Sequence, residues 1–358
     1  MKICAYVQTE YAKQAYATES FNVRLFAGLA VAVDIVRRAG YAVEYAGRAT
    51  VHEYDLVLVS ITSDCDWWDF VKERVAWRKG NYRVIVGGQG VLNVRPFLQF
   101  ADYFVLGRAE CVLDRLVKAI DTGGEIDETS VVCSSSFRVD NKYSINQAPC
   151  IYPHEITLES GEKYHEDVIG CNHRCLFCGY TWHRKNVQSE AFEYSGLWNG
   201  GADRERAMID MHNGIAVDFN KLRTTAIDGM SERLRFAVGK RITRGMFAEF
   251  IDRLAKCEHP HQVKVYNIIG YPTETQEDWM EFLDDIRLAD SKLPKTTAQT
   301  CILLHSTPFR AMPATPMACK PKSYRNYRGA IGGTLGRGLK GNIIYQGNSI
   351  WSVESMGT

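Results

Sequence analysis

The sequence predicts an α/β fold in which short apolar strands alternate with longer amphipathic helices. Three observations carry that expectation. LVLV at 56–59 and VIV at 84–86 are continuous apolar runs, as strands buried on both faces of a parallel sheet require. Stretches with helical spacing, such as 22–38 and 110–120, lie between such runs. The 358 residues, 46% hydrophobic and 24% charged, suffice for about two domains at roughly 100–200 residues each.

In chain order, 2–7 reads as the first strand and 22–38 as a helix stopped by Gly40. Short strands follow at 41–45, 56–60, 83–86 and 103–106, and a helix at 110–120 ends a first domain, 1–120. Residues 121–154 are rich in Ser, Gly, Asp and Asn and read as a linker, whose SVVCSSSFRVD segment has the composition for one or two further strands. The alternation resumes over 155–304, the second domain. A C-terminal extension, 305–358, carries Pro308, Pro313, Pro316 and Pro321 and then a Gly-rich run at 329–341. No repeat of 20–50 residues and no heptad pattern is present.

Lys plus Arg number 43 against 42 for Asp plus Glu, so net charge alone points to no polyanionic partner. No apolar run approaches the roughly 18 residues of a membrane helix, and MKICAYVQTEYAKQ lacks the hydrophobic region of a signal peptide. Eleven cysteines, an odd number, favour a reducing compartment over a disulfide framework. The expectation is a cytoplasmic protein, neither membrane-bound, secreted nor disordered, with most thiols free and a few reserved for a metal.

Cys171, Cys175 and Cys178 form C-x3-C-x2-C within GCNHRCLFCGYTW. Three thiolates on one loop can hold three corners of a [4Fe–4S] cluster and leave the fourth iron open. A structural zinc would need a closed fourth position. His173 and His183 are the nearest candidates, and His173 sits inside the loop, where ligation is strained.

With Phe177 before the third cysteine, the motif resembles the C-x3-C-x-aromatic-C of the radical S-adenosylmethionine (SAM) superfamily. The resemblance implies a partial (β/α)6 barrel of the TIM type. It also implies SAM chelated to the open iron, cleavage to methionine and a 5′-deoxyadenosyl radical, and an electron donor such as flavodoxin or ferredoxin. TTAIDGMSERLRFAVGKRITRGMFAEFIDRL resembles the family's fourth-strand segment, which places Asp228 and Ser231 at the carboxyl end of a barrel strand. By the same match Asp228 faces the SAM ribose or amino group and Lys240 the carboxylate. The plainer reading of SERLRFAVGKR is a solvated helix of alternating charge. VKVYNIIGYPTETQEDWMEFLDDI resembles the family's G-x-P-x-E-T segment, in which the backbone near Ile269 and Gly270 meets the adenine. Thr273 or Thr275 is placed to cap the helix that follows. The family's Gly-Gly-Glu motif has only Asn199-Gly-Gly-Ala-Asp203 as a counterpart.

DLVLVSITS, VIVGGQG and ADYFVLGRAECVLDRL resemble the Rossmann-like B12-binding domain that precedes the barrel in one radical SAM subfamily. That match implies cobalamin near the hydroxyls of Ser60 and Thr62 and the backbone of Gly87 and Gly88. The D-x-H-x-x-G motif is absent, since TEYAKQAYATES contains no His. Trp67 and Trp68 either shape a corrin face or fill its place, and the alternative is a scaffold domain without cobalamin.

LLHSTPFRAMPATP resembles the family's post-barrel segment. Beyond it stand Lys320, Lys322, Arg325, Arg328, Arg337 and Lys340, with Tyr324 and Tyr327 and no acidic residue. Such a stretch can neutralise phosphates and stack on bases, so Arg325 and Arg328 are candidate substrate contacts. The alternative is a Gly-rich lid. Cys301 is a candidate hydrogen donor to substrate, and the other thiols read as core or surface residues. The implied activity is modification of an unactivated carbon, by methylation with cobalamin or by rearrangement without it. The substrate class it suggests is a nucleotide or nucleic acid. Two alternatives are a cobalamin-free enzyme acting on a peptide or natural product, and a nucleic-acid-binding protein with a structural or redox-sensing cluster.

Overall fold

The computed structural model describes residues 1–6, 23–62, 66–110, 112–146, 152–157, 163–164, 166, 168–169, 174–183, 187–188, 207–214, 216–220, 222–257, 261–293, 302–312, 314–320 and 343–347. The chain divides into two compact units. The first is 1–170 with 182–190 and 198–200; the second is 171–181 with 191–197 and 201–358.

The first unit contains β1 (Ile3–Tyr6), α1 (Val23–Arg38), β2 (Val43–Ala46), β3 (Leu56–Ser60), α2 (Asp66–Ala76), β4 (Arg83–Gly87), β5 (Tyr103–Val105), α3 (Leu113–Thr122) and β6 (Val131–Cys133). The sheet runs β2-β1-β3-β4-β5-β6. Its first five strands are parallel, and β6 closes the edge antiparallel, with Tyr103 opposite Cys133. Alternation sends Ile3, Ala5, Leu56, Leu58, Ile85 and Val105 to one face, packed with residues of α1 and α3. Tyr6, Val57, Val59, Val84, Val86 and Phe104 face the other way, toward Trp67, Phe70 and Trp77. Both faces are covered, which is why these strands read as unbroken apolar runs.

Two expected elements start late. The strand expected at 41–45 occupies 43–46, and the helix expected from 110 begins at Leu113. Arg108 and Glu110 are held instead in an ion pair at 2.6 Å, and Arg108 forks onto Glu166 at 2.7 and 2.6 Å. The polar 121–154 stretch supplies β6 through its VVC run.

Two short antiparallel ribbons follow, β7 (Ile156–Thr157) with β8 (Lys163–Tyr164), and β9 (Val168–Ile169) with β10 (Val187–Gln188).

The second unit holds β11 (Thr224–Ala226), β12 (Val263–Ile269), β13 (Ile302–Pro308) and β14 (Ile343–Gly347), all parallel and adjacent in that order. Its helices include α4 (Gly179–Trp182, whose last residue belongs to the first unit), α5 (Ala207–His212), α6 (Glu232–Ala237), α7 (Arg244–Leu254) and α8 (Gln276–Lys292). Val263, Val265, Ile302 and Leu304 form a core with Phe247, Phe250 and Ile251 of α7 and Trp279, Phe282 and Ile286 of α8. The architecture among the described residues is therefore a four-stranded parallel sheet with a helical layer. Its fourth strand comes from the C-terminal extension, where the IIYQG run continues the sheet, while the Gly-rich run at 329–341 lies outside the described residues. Thr275, not Thr273, is the N-cap of α8, and its N–H donates to Asp278 Oδ2 at 2.8 Å. Among the described residues no helix is long and apolar enough to cross a membrane.

Candidate functional site

The cysteine loop lies in the second unit. Cys171 is outside the described residues; Cys175 is buried, Cys178 is half-buried, and neither is in a disulfide. A turn brings them together, with the Cys178 N–H donating to Cys175 O at 3.1 Å. The loop is pinned to the end of α6, where the Leu176 N–H donates to Val238 O at 2.7 Å. Gly239 makes this approach possible. Its φ is +78°, and a Cβ there would stand 3.2 Å from Arg174 O and 3.6 Å from Cys175 Cα. Arg174, inside the motif, is itself left-handed at φ +47°.

The turn at 238–240 carries Lys240, whose Nζ donates to Asp228 Oδ2 at 2.5 Å. Both side chains are buried. Asp228 also holds a left-handed backbone, φ +47°, which strains a residue with a Cβ and persists only when its surroundings fix it. Two contacts do so: the Tyr271 hydroxyl donates to Asp228 O at 3.1 Å, and the Gly229 N–H donates to Asn267 Oδ1 at 2.8 Å. Tyr271 is fully buried, packed against Phe177 and Phe309 with ring centroids 5.9 and 5.2 Å away. Burial pushes its phenol far above the ordinary value, and the fields of Asp228, Cys175, Glu274 and Cys178 add to that. The three separate motifs thus converge on this one ring.

At the end of β12 the Gly270 N–H donates to Glu274 Oε2 at 2.8 Å, and Trp279 Nε1 donates to Glu274 Oε1 at 2.9 Å. Burial raises the Glu274 pKa above 4.5 although both bonds pull it down. Ile269 O accepts the Phe309 N–H at 2.7 Å, which ties the ends of β12 and β13 together. The backbone expected to meet adenine is therefore clamped from both sides.

Ser231 has a structural engagement. Its hydroxyl caps α6 by accepting the Leu234 N–H at 3.1 Å, and it donates to Asp278 Oδ1. The solvated-helix reading of SERLRFAVGKR does not hold, because Arg235 is 2% exposed and Lys240 4%. Arg235, unread from the sequence, donates from Nε to Ile242 O at 2.7 Å and from Nη1 to Gly229 O at 3.2 Å. It thereby staples both ends of the segment that presents Asp228 and Lys240. Asp278, Glu281 and Asp285 share a face of α8 and grip the same segment. Arg233 pairs with Asp278, the Glu232 N–H donates to Glu281 at 2.7 Å, and Arg244 Nε donates to Asp285 at 2.7 Å.

Two cysteine side chains on one turn, beside a buried cation–carboxylate pair and aromatic walls, suit a soft-metal centre next to a small zwitterionic ligand. Among the described residues, which exclude Cys171, no group of three metal-binding side chains occurs.

In the first unit the order β2-β1-β3-β4-β5 reverses between β1 and β3, so the ligand crevice of such a sheet lies at their carboxyl ends. Ser60 stands at that edge, half-buried, and the exposed Thr62 gives its N–H to Asp66 Oδ2 at 2.8 Å. Gly88 has φ +113°, and a Cβ there would lie 2.4 Å from Ile61 O. Its missing side chain admits the neighbouring loop of the same sheet, which is bonded by the Ile61 N–H to Gly87 O at 2.8 Å and the Gly90 N–H to Ile61 O at 2.9 Å. Trp67 is buried on Phe97, with ring centroids 4.0 Å apart, and donates to Gly90 O at 2.9 Å. Trp68 is exposed, with Lys72 over its ring at 5.6 Å. These residues pack the sheet edge onto itself, and residues 7–22 and 63–65 of the same unit lie outside the described residues. Arg325, Arg328, Cys301 and the 199–203 segment lie outside the described residues.

No family model matches the chain. An uncharacterized protein of Methanocaldococcus jannaschii, MJ0966, is 23% identical over 282 residues, which is 65% of this chain and 63% of that protein. Two solved structures of the cobalamin-dependent SAM radical enzyme OxsB, one with aqua-cobalamin and one with aqua-cobalamin and SAM, are each 11% identical. They cover 86% and 85% of this chain at TM-scores of 0.30 and 0.28. The chain spans under two thirds of the curated relative and only 44% and 43% of the two solved chains. Overlap at that level leaves the functional reading to the geometry of the site.

Proposed function

We propose that the second unit is the core of a radical SAM enzyme, with a [4Fe–4S] cluster on Cys171, Cys175 and Cys178 and the β11–β14 sheet as part of a (β/α)6 barrel. The observation that carries this reading is the meeting of the cysteine turn, the Asp228–Lys240 pair and the Gly270 turn around Tyr271. When bound, the cluster supplies the electron that cleaves SAM, delivered by a donor of the flavodoxin or ferredoxin class.

The protein's own part is positioning and exclusion of water. Phe177, Tyr271 and Phe309 wall the site with apolar surface, which strengthens every charge interaction inside it. Asp228 and Lys240 neutralise each other, and burial makes it costly to leave either alone. A zwitterion can enter between them without leaving a charge unpaired, its ammonium toward Asp228 and its carboxylate toward Lys240. The amino-acid end of SAM has that chemistry. Gly270 and Ile269, held by Glu274 and Phe309, offer a fixed backbone edge to a planar base.

The reaction in this reading is modification of an unactivated carbon, and the basic run from Lys320 to Lys340 favours a phosphate-bearing substrate. Anaerobic reconstitution tests the centre itself. Wild type should hold about four iron and four sulfide per chain, and Cys171→Ala, Cys175→Ala and Cys178→Ala should each lose them. Variants that keep a full complement of iron would remove these cysteines from the centre.

A further inference from the structure

Strands β12 and β13 have two unlike faces. Val263, Val265, Asn267, Ile302, Leu304 and Ser306 are all at most 1% exposed, on the face that packs with the helices. The alternate residues Lys264, Tyr266, Leu303 and Thr307 stay partly exposed, while His305 on the same face is buried. A parallel sheet covered on both sides is ordinarily apolar on both. Here the second face carries an amine, a phenol and an imidazole.

These groups form one continuous constellation. Tyr266 and His305 are register partners, with their rings edge to face at 5.4 Å, and Ala226 stands on the other side of Tyr266 in the same row. Lys264 lies one row nearer the amino ends, its Nζ 4.7 Å from the Tyr266 ring centroid. No ion pair among the described residues joins Lys264 to a carboxylate, and β11, β12 and β13 contain no Asp or Glu. Among the described residues these strands bring no carboxylate to the face, which carries the Lys264 amine and the Tyr266 ring.

We propose that this face binds the anionic end of the substrate, taking carboxylate or phosphate oxygens on Lys264 and His305 and a flat or apolar portion on Tyr266. At about 3.3 Å per residue, Lys264 lies roughly 20 Å and Tyr266 roughly 13 Å along β12 from Gly270. The substrate lies along the strands, anion toward their amino ends and reacting carbon toward Gly270. That orientation rests on the SAM-cleaving reading; the anion site does not.

Histidine-selective 15N labelling of the full chain tests it, with the His305 imidazole signals assigned through His305→Gln. Pyrophosphate and succinate serve as phosphate and carboxylate probes, in separate titrations at fixed pH and ionic strength. The expected result is a saturable shift of the His305 signals with at least one probe, weakened about tenfold or more in Lys264→Met and kept in Lys264→Arg. The responding probe names the anion class. No saturable shift with either probe, or a Lys264→Met titration like that of wild type, overturns the proposal. SAM binding to reconstituted wild type is measured separately. Its loss beside a positive anion titration would sink the SAM reading alone, and normal SAM binding beside a silent His305 would sink the anion site alone.

Discussion

Lys240 and Asp228 hold charges that the fold has removed from water, and each is tolerated only because of the other. Replacing one leaves a buried uncompensated charge. Lys240→Met and Asp228→Asn should each destabilise the protein by about 3–5 kcal/mol, while the double variant loses less than the sum. Urea unfolding of the four proteins checks this, and additive losses would mean that the pair does not interact in solution. The sequence singled out Asp228 and Lys240 separately, each by its own place in a motif. Their partnership was not legible, because a spacing of twelve residues obeys neither the helical nor the strand period. Tyr271 was missed for a related reason: between Gly270 and Pro272 it reads as part of a turn, and only the fold brings Phe177 and Phe309 onto its ring. Arg235 looked like one more charge in a solvated run, and long-range packing buried it.

At the scale of elements, the site is an assembly of turns held by neighbouring secondary structure. Gly239 lets the cysteine turn rest on the end of α6. Gly239→Ala should destabilise by about 1–2 kcal/mol through its left-handed backbone alone, and should lower iron incorporation by displacing Arg174 and Cys175. Gly245→Ala is the control, because its Cβ would meet nothing nearer than Thr243 Oγ1 at 3.7 Å. Equal iron content in Gly239→Ala and wild type would count against the docking. The acidic face of α8 makes a second prediction. Burial pushes Asp278 up, but hydrogen bonds from Arg233, Ser231 and the Thr275 N–H outweigh it and hold the carboxyl below its ordinary 3.8. A carboxylate depressed in the folded state contributes stability above the unfolded pKa and loses it as pH falls through the folded one. The urea midpoint of wild type should therefore drop on acidification below about pH 4, and Asp278→Asn should flatten that limb. An identical acid limb in the variant would contradict the assignment. Nothing in the local sequence pairs these acids with the segment they grip. Their real partners lie more than 40 residues away.

Over the whole molecule, the doubly covered parallel sheet of the first unit was legible because its apolar runs have one physical cause, burial on both faces. β3 matched its expected bounds, while β6 and β14 emerged from segments whose average composition is polar or Gly-rich. There a short run, VVC or IIYQG, outweighs its surroundings by pairing with an existing strand. The reason for Gly88 was illegible, since the sequence cannot tell a glycine that admits a ligand from one that admits the next loop. In the second unit the polar face of β12 and β13 leads along the strands toward the turn that carries Gly270. In the proposed reading this unit cleaves SAM at the cysteine turn. Reconstituted protein, reduced anaerobically with SAM, should release 5′-deoxyadenosine and methionine in equal amounts, and Cys175→Ala should release none. Wild type that carries its full iron yet yields no 5′-deoxyadenosine, or a Cys175→Ala variant that yields as much, would contradict the account.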